Sequence, residues 1–281
     1  MEERILTGAQ LTAFGAQLST AERSLSTVEK YTRSARAFLA FLDGRAVTPA
    51  LVTAWKADLL EHGHAPVTVN SMLAALNSLF RFLGWNDCRA HFLKIQRRVF
   101  RESGRELTRA EYDRLVSTAA EHGKARLALL LETMAATGIR VSEVKFITVE
   151  AARQGRAEIR LKGKIRTILL PAKLCRKLLK YAKTQKTASG AIFLTRNGTV
   201  LSRKQIWAEM KALCRDARVA PGKVFPHNLR HLFATAFYKA CRDIVKLADV
   251  LGHSSIETTR IYLLTSGDEH QRQLDRLGLV S

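Results

Sequence analysis

The stretch HNLRH, residues 227–231, does most to decide the fold and function expected of this 281-residue chain. Its first histidine and its arginine stand three positions apart, so a helix places them on one face or within one turn. Three more short stretches carry charged or polar side chains: TGIRVSE at residues 137–143, KGK at residues 162–164, and LGH at residues 251–253, which Tyr262 follows after nine positions. Each stretch by itself is a weak signal, and their order along the chain carries the information.

The residue types in these stretches suit the breakage of a phosphodiester bond. Such a displacement needs a nucleophile, relief of charge on the nonbridging oxygens, and a proton for the leaving oxygen. A tyrosine hydroxyl can attack and remain joined to the phosphate as an ester, so rejoining needs no nucleotide cofactor. Arginines are permanently charged, two-pronged donors suited to phosphate oxygens. The sequence has no carboxylate cluster of metal-binding spacing, so we expect no metal and no other cofactor.

In this order, the four stretches resemble the tyrosine recombinase and phage integrase family, in particular its short, two-domain, Xer-like members. The match extends over the whole second half of the chain. It implies a site-specific DNA recombinase that cleaves and rejoins double-stranded DNA through a 3′-phosphotyrosyl intermediate, for integration and excision or for resolution. Matched residue by residue, the family's catalytic set falls on Arg140, Lys162, His227, Arg230, His253 and the nucleophile Tyr262.

The resemblance also implies a role for each of these residues. Arg140 and Arg230 clamp the scissile phosphate. His227 bonds that phosphate or accepts the proton of the tyrosine, and His253 donates to a nonbridging oxygen. Glu143, three residues after Arg140, is expected to orient it through an ion pair, and a solvated helix acid is the alternative for this residue.

A lysine in the hairpin at residues 162–164 is expected to protonate the leaving 5′ oxygen as a general acid. A lysine with its ordinary pKa of about 10.4 is a poor acid at neutral pH, and clustered arginines would lower that pKa. We favour Lys162, because a glycine follows it and Arg166 stands four positions on, as in the family's hairpin. Lys164 is the alternative general acid, and either lysine could instead be an exposed turn residue.

His231, the other four tyrosines and the three tryptophans are interpreted as structural residues. His231 is expected to pack or cap beside the site. Core positions are expected for four other tyrosines and for the three tryptophans, with base contacts as the alternative for the tryptophans: Tyr31, Tyr112, Tyr181, Tyr238, Trp55, Trp85 and Trp207.

The second half is predicted to be mainly helical with a small antiparallel β-sheet. Two capping boxes begin helices, at Thr108 with Glu111 and at Ser202 with Gln205. Strands are expected at residues 157–161 and 165–170, joined as a hairpin, and at residues 191–194. Helices are expected at about residues 108–121, 124–137, 202–219, 227–241, 243–251 and 255–264, with a tail helix from residue 268.

The first 93 residues are predicted to form a helical bundle, with helices at about residues 10–18, 26–44, 48–63 and 66–83. Ser26 and Glu29 form a capping box for the second of these. In size and helicity the bundle resembles the family's core-binding domain. Residues 94–106, KIQRRVFRESGRE, are interpreted as a basic linker that either follows a phosphate backbone or is a solvated connector. Residues 107–281 then form the catalytic domain with its C-terminal tail helix.

The charge of the chain agrees with a nucleic-acid partner. Lysine and arginine number 46 against 25 acidic residues, a net charge of +21. Such a field attracts polyanions, although basicity alone also fits ribosomal and membrane-surface proteins. Residues 1–106 hold 14 basic and 10 acidic residues, whereas residues 107–281 hold 32 and 15. The larger excess therefore lies in the half that carries the candidate chemistry.

The four cysteines are scattered, with no CxxC pair, which favours free buried thiols in a reducing compartment: Cys88, Cys175, Cys214 and Cys241. The N-terminal sequence MEERILTGAQ lacks the layout of a secretory signal, and no apolar run is long enough to span a membrane. We therefore expect a cytoplasmic, nucleoid-associated protein without a membrane partner.

The partners follow from the resemblance. It implies double-stranded DNA as substrate and a homotetramer on DNA, in which the tail helix docks onto a neighbouring protomer, with room for accessory proteins. Two alternatives stay open: a type IB topoisomerase-like nicking-closing enzyme, and a non-catalytic DNA-binding relative. A protein that only binds DNA has no use for the tyrosine, which favours the enzyme.

Overall fold

The computed structural model describes residues 3–95, 104–161, 164–262, 271 and 275–277, the side chains of residues 161 and 164 excepted. The chain divides into two compact units between residues 97 and 98. This division falls within the stretch that the sequence predicts as a linker, of which residues 96–103 lie outside the described part. The domain limits drawn from the sequence stay a prediction.

The first unit is helical, as the periodicity of its apolar residues predicts. Its helices are α1 (Gly8–Thr20), α2 (Leu25–Leu42), α3 (Pro49–Glu61) and α4 (Pro66–Leu83), followed by a 3₁₀ turn at Asn86–Cys88. The capping box predicted at Ser26 and Glu29 is wrong. The backbone N–H groups of Thr27 and Val28 already donate to the carbonyl of Ser24, so α2 begins at Leu25 and contains both residues.

Aromatic side chains fill the core of the first unit. The ring of Phe38 lies 5.1 Å from that of Trp55 and 5.9 Å from that of Phe80, measured between centroids, and all three are buried. Edge-to-face contacts of this kind add to the hydrophobic stabilisation of the core. The side chain of Asn77 pairs with both backbone groups of Ala90, at 2.8 and 2.9 Å. That pairing ties the end of the unit to α4.

The second unit is mainly helical with one two-stranded antiparallel sheet, as predicted. Its helices are α5 (Arg109–Glu121), α6 (Ala125–Thr137), α7 (Val149–Gln154), α8 (Ala172–Thr184), α9 (Arg203–Lys211), α10 (Pro226–Cys241), α11 (Ile244–Leu251) and α12 (Ile256–Arg260). Short 3₁₀ helices lie at Val141–Phe146 and Pro221–Lys223. The strands β1 (Arg156–Leu161) and β2 (Lys164–Leu169) pair from Arg156 with Leu169 to Leu161 with Lys164.

Two predicted elements of the second unit are corrected. Residues 191–194 form only isolated bridges, Thr148 with Ala191 and Leu194 with Val200, because the segment runs through the core without a continuous partner strand. The helix predicted to reach residue 219 ends at Lys211. Beyond it the N–H groups of Leu213 and Cys214 donate to carbonyls three residues back, so the chain continues in tighter turns.

The C-terminal helix is also shorter than predicted. α12 ends at Arg260, and Tyr262 follows in a turn in which its N–H donates to the carbonyl of Thr259. The tail helix predicted from residue 268 lies largely outside the described residues.

A close approach of helices positions the site. α6 ends at Thr137 and is capped by Gly138, whose φ of +63° is left-handed. A Cβ at this position would lie 2.4 Å from a ring carbon of Phe233 and 3.1 Å from Leu251. Only glycine therefore fits where α10 and α11 meet the end of α6. Beneath this junction, Tyr262 packs in a small cluster with Ala234, Leu247 and Leu251.

Two predictions about buried side chains fail in part. All four cysteines are free and three are buried, but Cys241 is exposed because it is the last residue of α10. Trp55 is buried and Trp85 is packed against the core, whereas Trp207 is 50% exposed, because its neighbour Ile206 faces inward on α9. Among the described residues, no helix combines the length and the apolar character that crossing a bilayer requires.

Candidate active site

Five of the predicted site residues line one groove of about 870 Å³ in the second unit. They come from four separate parts of the chain: Arg140, His227, Arg230, His253 and Tyr262. The groove wall also includes three residues near the start of α9: Arg203, Lys204 and Trp207. The sequence offered no functional signal for Arg203 and Lys204, and for Trp207 it left base contact as the alternative to a core position. The predicted residues that the structure describes thus converge on a single opening.

Arg140 stands where the chain leaves α6 and enters the 3₁₀ helix Val141–Phe146. Its backbone N–H donates to Glu143 Oε2 at 2.7 Å, and its Nη1 donates to Glu143 Oε1 at 3.1 Å. Its Nη2 lies 3.5 Å from the carbonyl oxygen of Gly252. The side chain remains 42% exposed. Arg140 is therefore aimed by a carboxylate while its guanidinium stays open to the groove.

Glu143 is buried, with only 3% of its surface exposed, so the alternative of a solvated acid does not apply. Besides Arg140, it accepts a hydrogen bond from Arg166 Nη2 at 2.5 Å. A buried carboxylate between two guanidinium groups keeps its charge compensated. The sequence gave Arg166 no part in the site beyond its spacing from Lys162.

Arg230 is buried in the first half of α10, at 2% exposure. Its Nη1 donates to the carbonyl of Gly138 at 2.5 Å, and its Nη2 donates to the carbonyl of Leu251 at 2.8 Å. Burial lowers the pKa of Arg230, and a hydrogen bond with the hydroxyl of Tyr262 opposes that shift. An arginine nonetheless stays protonated. Arg230 is thus a fixed positive charge against the candidate nucleophile.

His253 follows Gly252, the left-handed residue that ends α11. Its Nε2 lies 2.8 Å from Arg230 Nη2, and its Nδ1 lies 2.9 Å from the hydroxyl of Thr259. Because arginine only donates, Nε2 accepts and the ring proton is assigned to Nδ1. Burial, followed by the charges of Arg230 and Arg140, lowers the pKa of His253 to about 4. The imidazole is therefore neutral at physiological pH.

His227 is the second residue of α10 and faces the groove one turn before Arg230. Desolvation by the surrounding protein, then the charges of Arg230 and Arg140, lower its pKa below the ordinary 6.5. His227 is exposed and neutral at physiological pH, so it is able to take up a proton.

Tyr262 is 3% exposed and lies among three histidine rings. Its ring stacks on that of His253, at 5.9 Å between centroids and 8° between planes. His231 meets it edge-on at 5.0 Å, and His227 lies at 6.1 Å. His231 thus packs beside the site, as predicted, with its Nε2 3.6 Å from Glu106. The phenol therefore belongs to the same site as the arginines of its own chain.

Lys162 and Lys164 are the predicted site residues whose side chains the structure does not describe. Residues 162 and 163, and the side chain of Lys164, lie outside the described part of the chain. In the part that is described, no group of three or more histidine, cysteine or acidic side chains is placed to hold a metal ion. What the described residues present is two guanidinium groups, two neutral imidazoles and a phenol around one opening, a set suited to a phosphodiester.

The sequence of this chain is similar to that of proteins of a known family. The model of the phage integrase family matches residues 105–267, and that of the phage integrase N-terminal SAM-like domain matches residues 11–87. Tyrosine recombinase XerA of Pyrococcus furiosus is 28% identical, over 100% of this chain and 98% of the relative. Tyrosine recombinase XerC of Roseiflexus castenholzii is 31% identical, over 90% of this chain and 88% of the relative.

Solved structures share the fold. A lambda integrase tetramer bound to a Holliday junction gives a TM-score of 0.75 at 17% identity, covering 93% of this chain and 78% of that one. The Tn1549 transposon integrase in complex with transposon right end DNA gives 0.71 at 17% identity, covering 96% and 99%. The protein therefore belongs to the phage integrase family and is a tyrosine-type site-specific recombinase.

Proposed function

We propose that this recombinase cleaves and rejoins double-stranded DNA through a 3′-phosphotyrosyl intermediate on Tyr262. The observation that carries the proposal is the convergence of Arg140, Arg230, His227 and His253 on one groove, which Tyr262 also lines with its ring stacked on that of His253. The proposal assigns the nucleophile to the protomer that also supplies the cationic groups.

The two arginines bind the scissile phosphate in different ways. Arg230 is held by the carbonyls of Gly138 and Leu251, so its charge is already in place when DNA arrives. Arg140 keeps its guanidinium open to the groove and closes on the phosphate from the other side. The negative charge of the phosphate raises the pKa of His253, whose Nε2 then carries a proton and donates to a nonbridging oxygen. In that state Arg230 Nη2 gives up its bond to Nε2 and keeps the one to the carbonyl of Leu251.

Cleavage is one displacement at phosphorus. The oxygen of Tyr262 forms a bond to phosphorus as the bond to the 5′ oxygen breaks, and the 3′ oxygen keeps the phosphate. Neutral His227 accepts the proton of the phenol. The leaving 5′ oxygen takes a proton from Lys162, with Lys164 as the alternative. Attack by a 5′ hydroxyl on the phosphotyrosyl ester reverses every step and rejoins the strand.

The assembly is part of the proposal. Residues 1–93 act as the core-binding domain, residues 94–106 as the basic linker, and residues 107–281 as the catalytic domain. Four protomers act on two DNA sites, with the tail helix from residue 268 docked on a neighbour and with room for accessory proteins. Support comes from the fold shared with a lambda integrase tetramer bound to a Holliday junction and from the basic excess of residues 107–281. Such a protein works at the nucleoid in the cytoplasm.

The alternatives are less well supported. The similar proteins are recombinases and integrases over nearly the whole chain, which does not favour a topoisomerase-like enzyme. A non-catalytic relative would bind DNA without needing a buried tyrosine against Arg230.

Covalent capture tests the proposal. The substrate is a nicked duplex that carries the sequence the protein selects from a random DNA pool, so that cleavage releases a short strand and traps the adduct. We expect an adduct that resists denaturation, with the DNA on Tyr262 by peptide mass spectrometry. Tyr262→Phe should abolish the adduct. The control Tyr238→Phe makes the same change in α10, beside the same small cluster, and should still form the adduct. An adduct on any other residue, or none with the wild-type protein, would overturn the proposal.

A further inference from the structure

The side chain of Arg166, on β2, bonds to residues that hold the active-site arginines. Its Nη2 donates to Glu143 Oε2 at 2.5 Å, and its Nη1 donates to the carbonyls of Val250, at 3.3 Å, and Leu251. The side chain is only 16% exposed. One guanidinium group thus bonds to both the 3₁₀ helix after Arg140 and the end of α11.

Two of the three partners of Arg166, Glu143 and Leu251, also hold a phosphate-clamping arginine. Glu143 bonds to Arg140, and the carbonyl of Leu251 accepts from Arg230 Nη2 at 2.8 Å. The Nε of Arg166 is buried and has no acceptor among the described residues. An unsatisfied buried donor costs stability, so folding alone does not account for an arginine at this position. The bonds from Arg166 to Glu143 on one side and to the carbonyl of Leu251 on the other account for it.

Gly252 makes room for this contact. Its φ is +64°, and a Cβ built on it would lie 2.6 Å from Arg166 Cδ and 2.7 Å from Arg166 Nη1. The arginine side chain therefore passes through the space that any other residue at position 252 would fill. Since Gly252 stands directly before His253, a side chain there would displace either Arg166 or the histidine.

We infer that Arg166 is a positioning residue for strand cleavage, and that Gly252 is the residue that admits it. Arg166 fixes Glu143, which aims Arg140, and it fixes the carbonyl of Leu251, which holds Arg230 beside His253. The inference rests on the proposed function and adds to it a residue that touches neither phosphate nor nucleophile.

The first test separates binding from chemistry. Arg166→Lys keeps the charge but loses the planar fork that bonds to three oxygens at once. We expect the single-turnover rate of adduct formation on the nicked duplex to fall by about tenfold to a hundredfold. The Kd for the duplex and the Tm should stay close to wild type. The control Arg156→Lys, an exposed arginine on β1, should change the rate by no more than about twofold.

The second test uses two glycines that both have a left-handed backbone. Gly155, between α7 and β1, has a φ of +72° and nothing within 4 Å of an added Cβ. Gly252→Ala should therefore slow adduct formation much more than Gly155→Ala does. In an Arg166→Ala background the space is already clear, so Gly252→Ala should slow the reaction by no more than about a further twofold.

The outcomes are distinguishable. If wild-type protein forms the Tyr262 adduct but Arg166→Lys and Arg166→Ala react at the wild-type rate, this inference alone is overturned. It is also overturned if Gly252→Ala and Gly155→Ala behave alike, or if the rate falls only in proportion to lost binding and lost Tm. Absence of any adduct from the wild-type protein would overturn the proposed function and this inference together.

Discussion

The two units of the molecule bury different chemistry. Among the described residues of the first unit, the buried polar side chains are those of Ser34 and Asn77, both bonded to backbone carbonyls, and aromatic and aliphatic residues fill most of the core. The second unit buries Arg230 and Glu143. Burying a charge is costly unless it is paired and hydrogen-bonded. The interior of the first unit is explained by folding, whereas part of the second is organised around a reaction.

The largest expected difference is between Leu76→Ala, which should lower stability, and Arg230→Lys, which should lower the rate of adduct formation. Leu76 is fully buried in the first unit, and its truncation should lower the free energy of unfolding by about 2–5 kcal/mol. The rate of adduct formation by folded protein should stay near wild type. Arg230→Lys should lower that rate by about a hundredfold to a thousandfold, because a preorganised donor is lost. Urea unfolding measures the stability of both variants, and single-turnover cleavage measures their rates. Equal rate losses in the two variants would contradict the difference drawn between the two units.

A smaller effect is expected from the hairpin lysines. Lys162→Ala should slow cleavage of an ordinary nicked duplex by about a hundredfold, since a general acid is lost. With sulfur in place of the leaving 5′ oxygen, the defect should nearly disappear, because a thiol has a pKa of about 8.5 and leaves without a proton. Lys164→Ala is the matched control. If its defect, rather than that of Lys162→Ala, is relieved by sulfur, the general acid is Lys164.

The smallest effect concerns pH. Burial and the charge of Arg230 lower the pKa of His253 from 6.5 to about 4. The unfolded chain therefore binds the proton first, so the stability that this histidine contributes is complete above pH 6.5 and is lost as the pH falls toward 4. His253→Gln should flatten this dependence for the second unit and leave the smaller part due to His227, whose pKa is also lowered. Urea unfolding at a series of pH values checks this, and an unchanged slope would contradict it.

Local patterns predicted most of the fold. The apolar periodicity placed all four helices of the first unit, although the capping box predicted for α2 was wrong, and the box of Thr108 and Glu111 begins α5 as expected. The errors came from tertiary contacts. Residues 191–194 look like a strand but have no continuous partner, and α9 stops at Lys211 although the next residues suit a helix.

The site was only partly predictable for the same reason. Spacing alone places His227 and Arg230 on one turn of α10, while the resemblance was needed to join them to Arg140 and Tyr262. The sequence did not predict that the side chain of Arg166 packs against Gly252. These two residues are 86 positions apart, and only the fold brings them together. The exposure of Trp207 on the groove wall was missed because one turn of amphipathic helix does not show which face is covered.

The central claim, that Arg140 and Arg230 clamp one phosphate beside Tyr262, is tested most directly by neutralising that phosphate. A methylphosphonate at the cleavage position replaces a charged nonbridging oxygen with a methyl group and so removes the need for one cation. We expect Arg140→Ala and Arg230→Ala to lose far less activity on this substrate than on the ordinary duplex, and a methylphosphonate one position away to restore nothing. Equal defects on both substrates would show that the arginines do not meet the scissile phosphate.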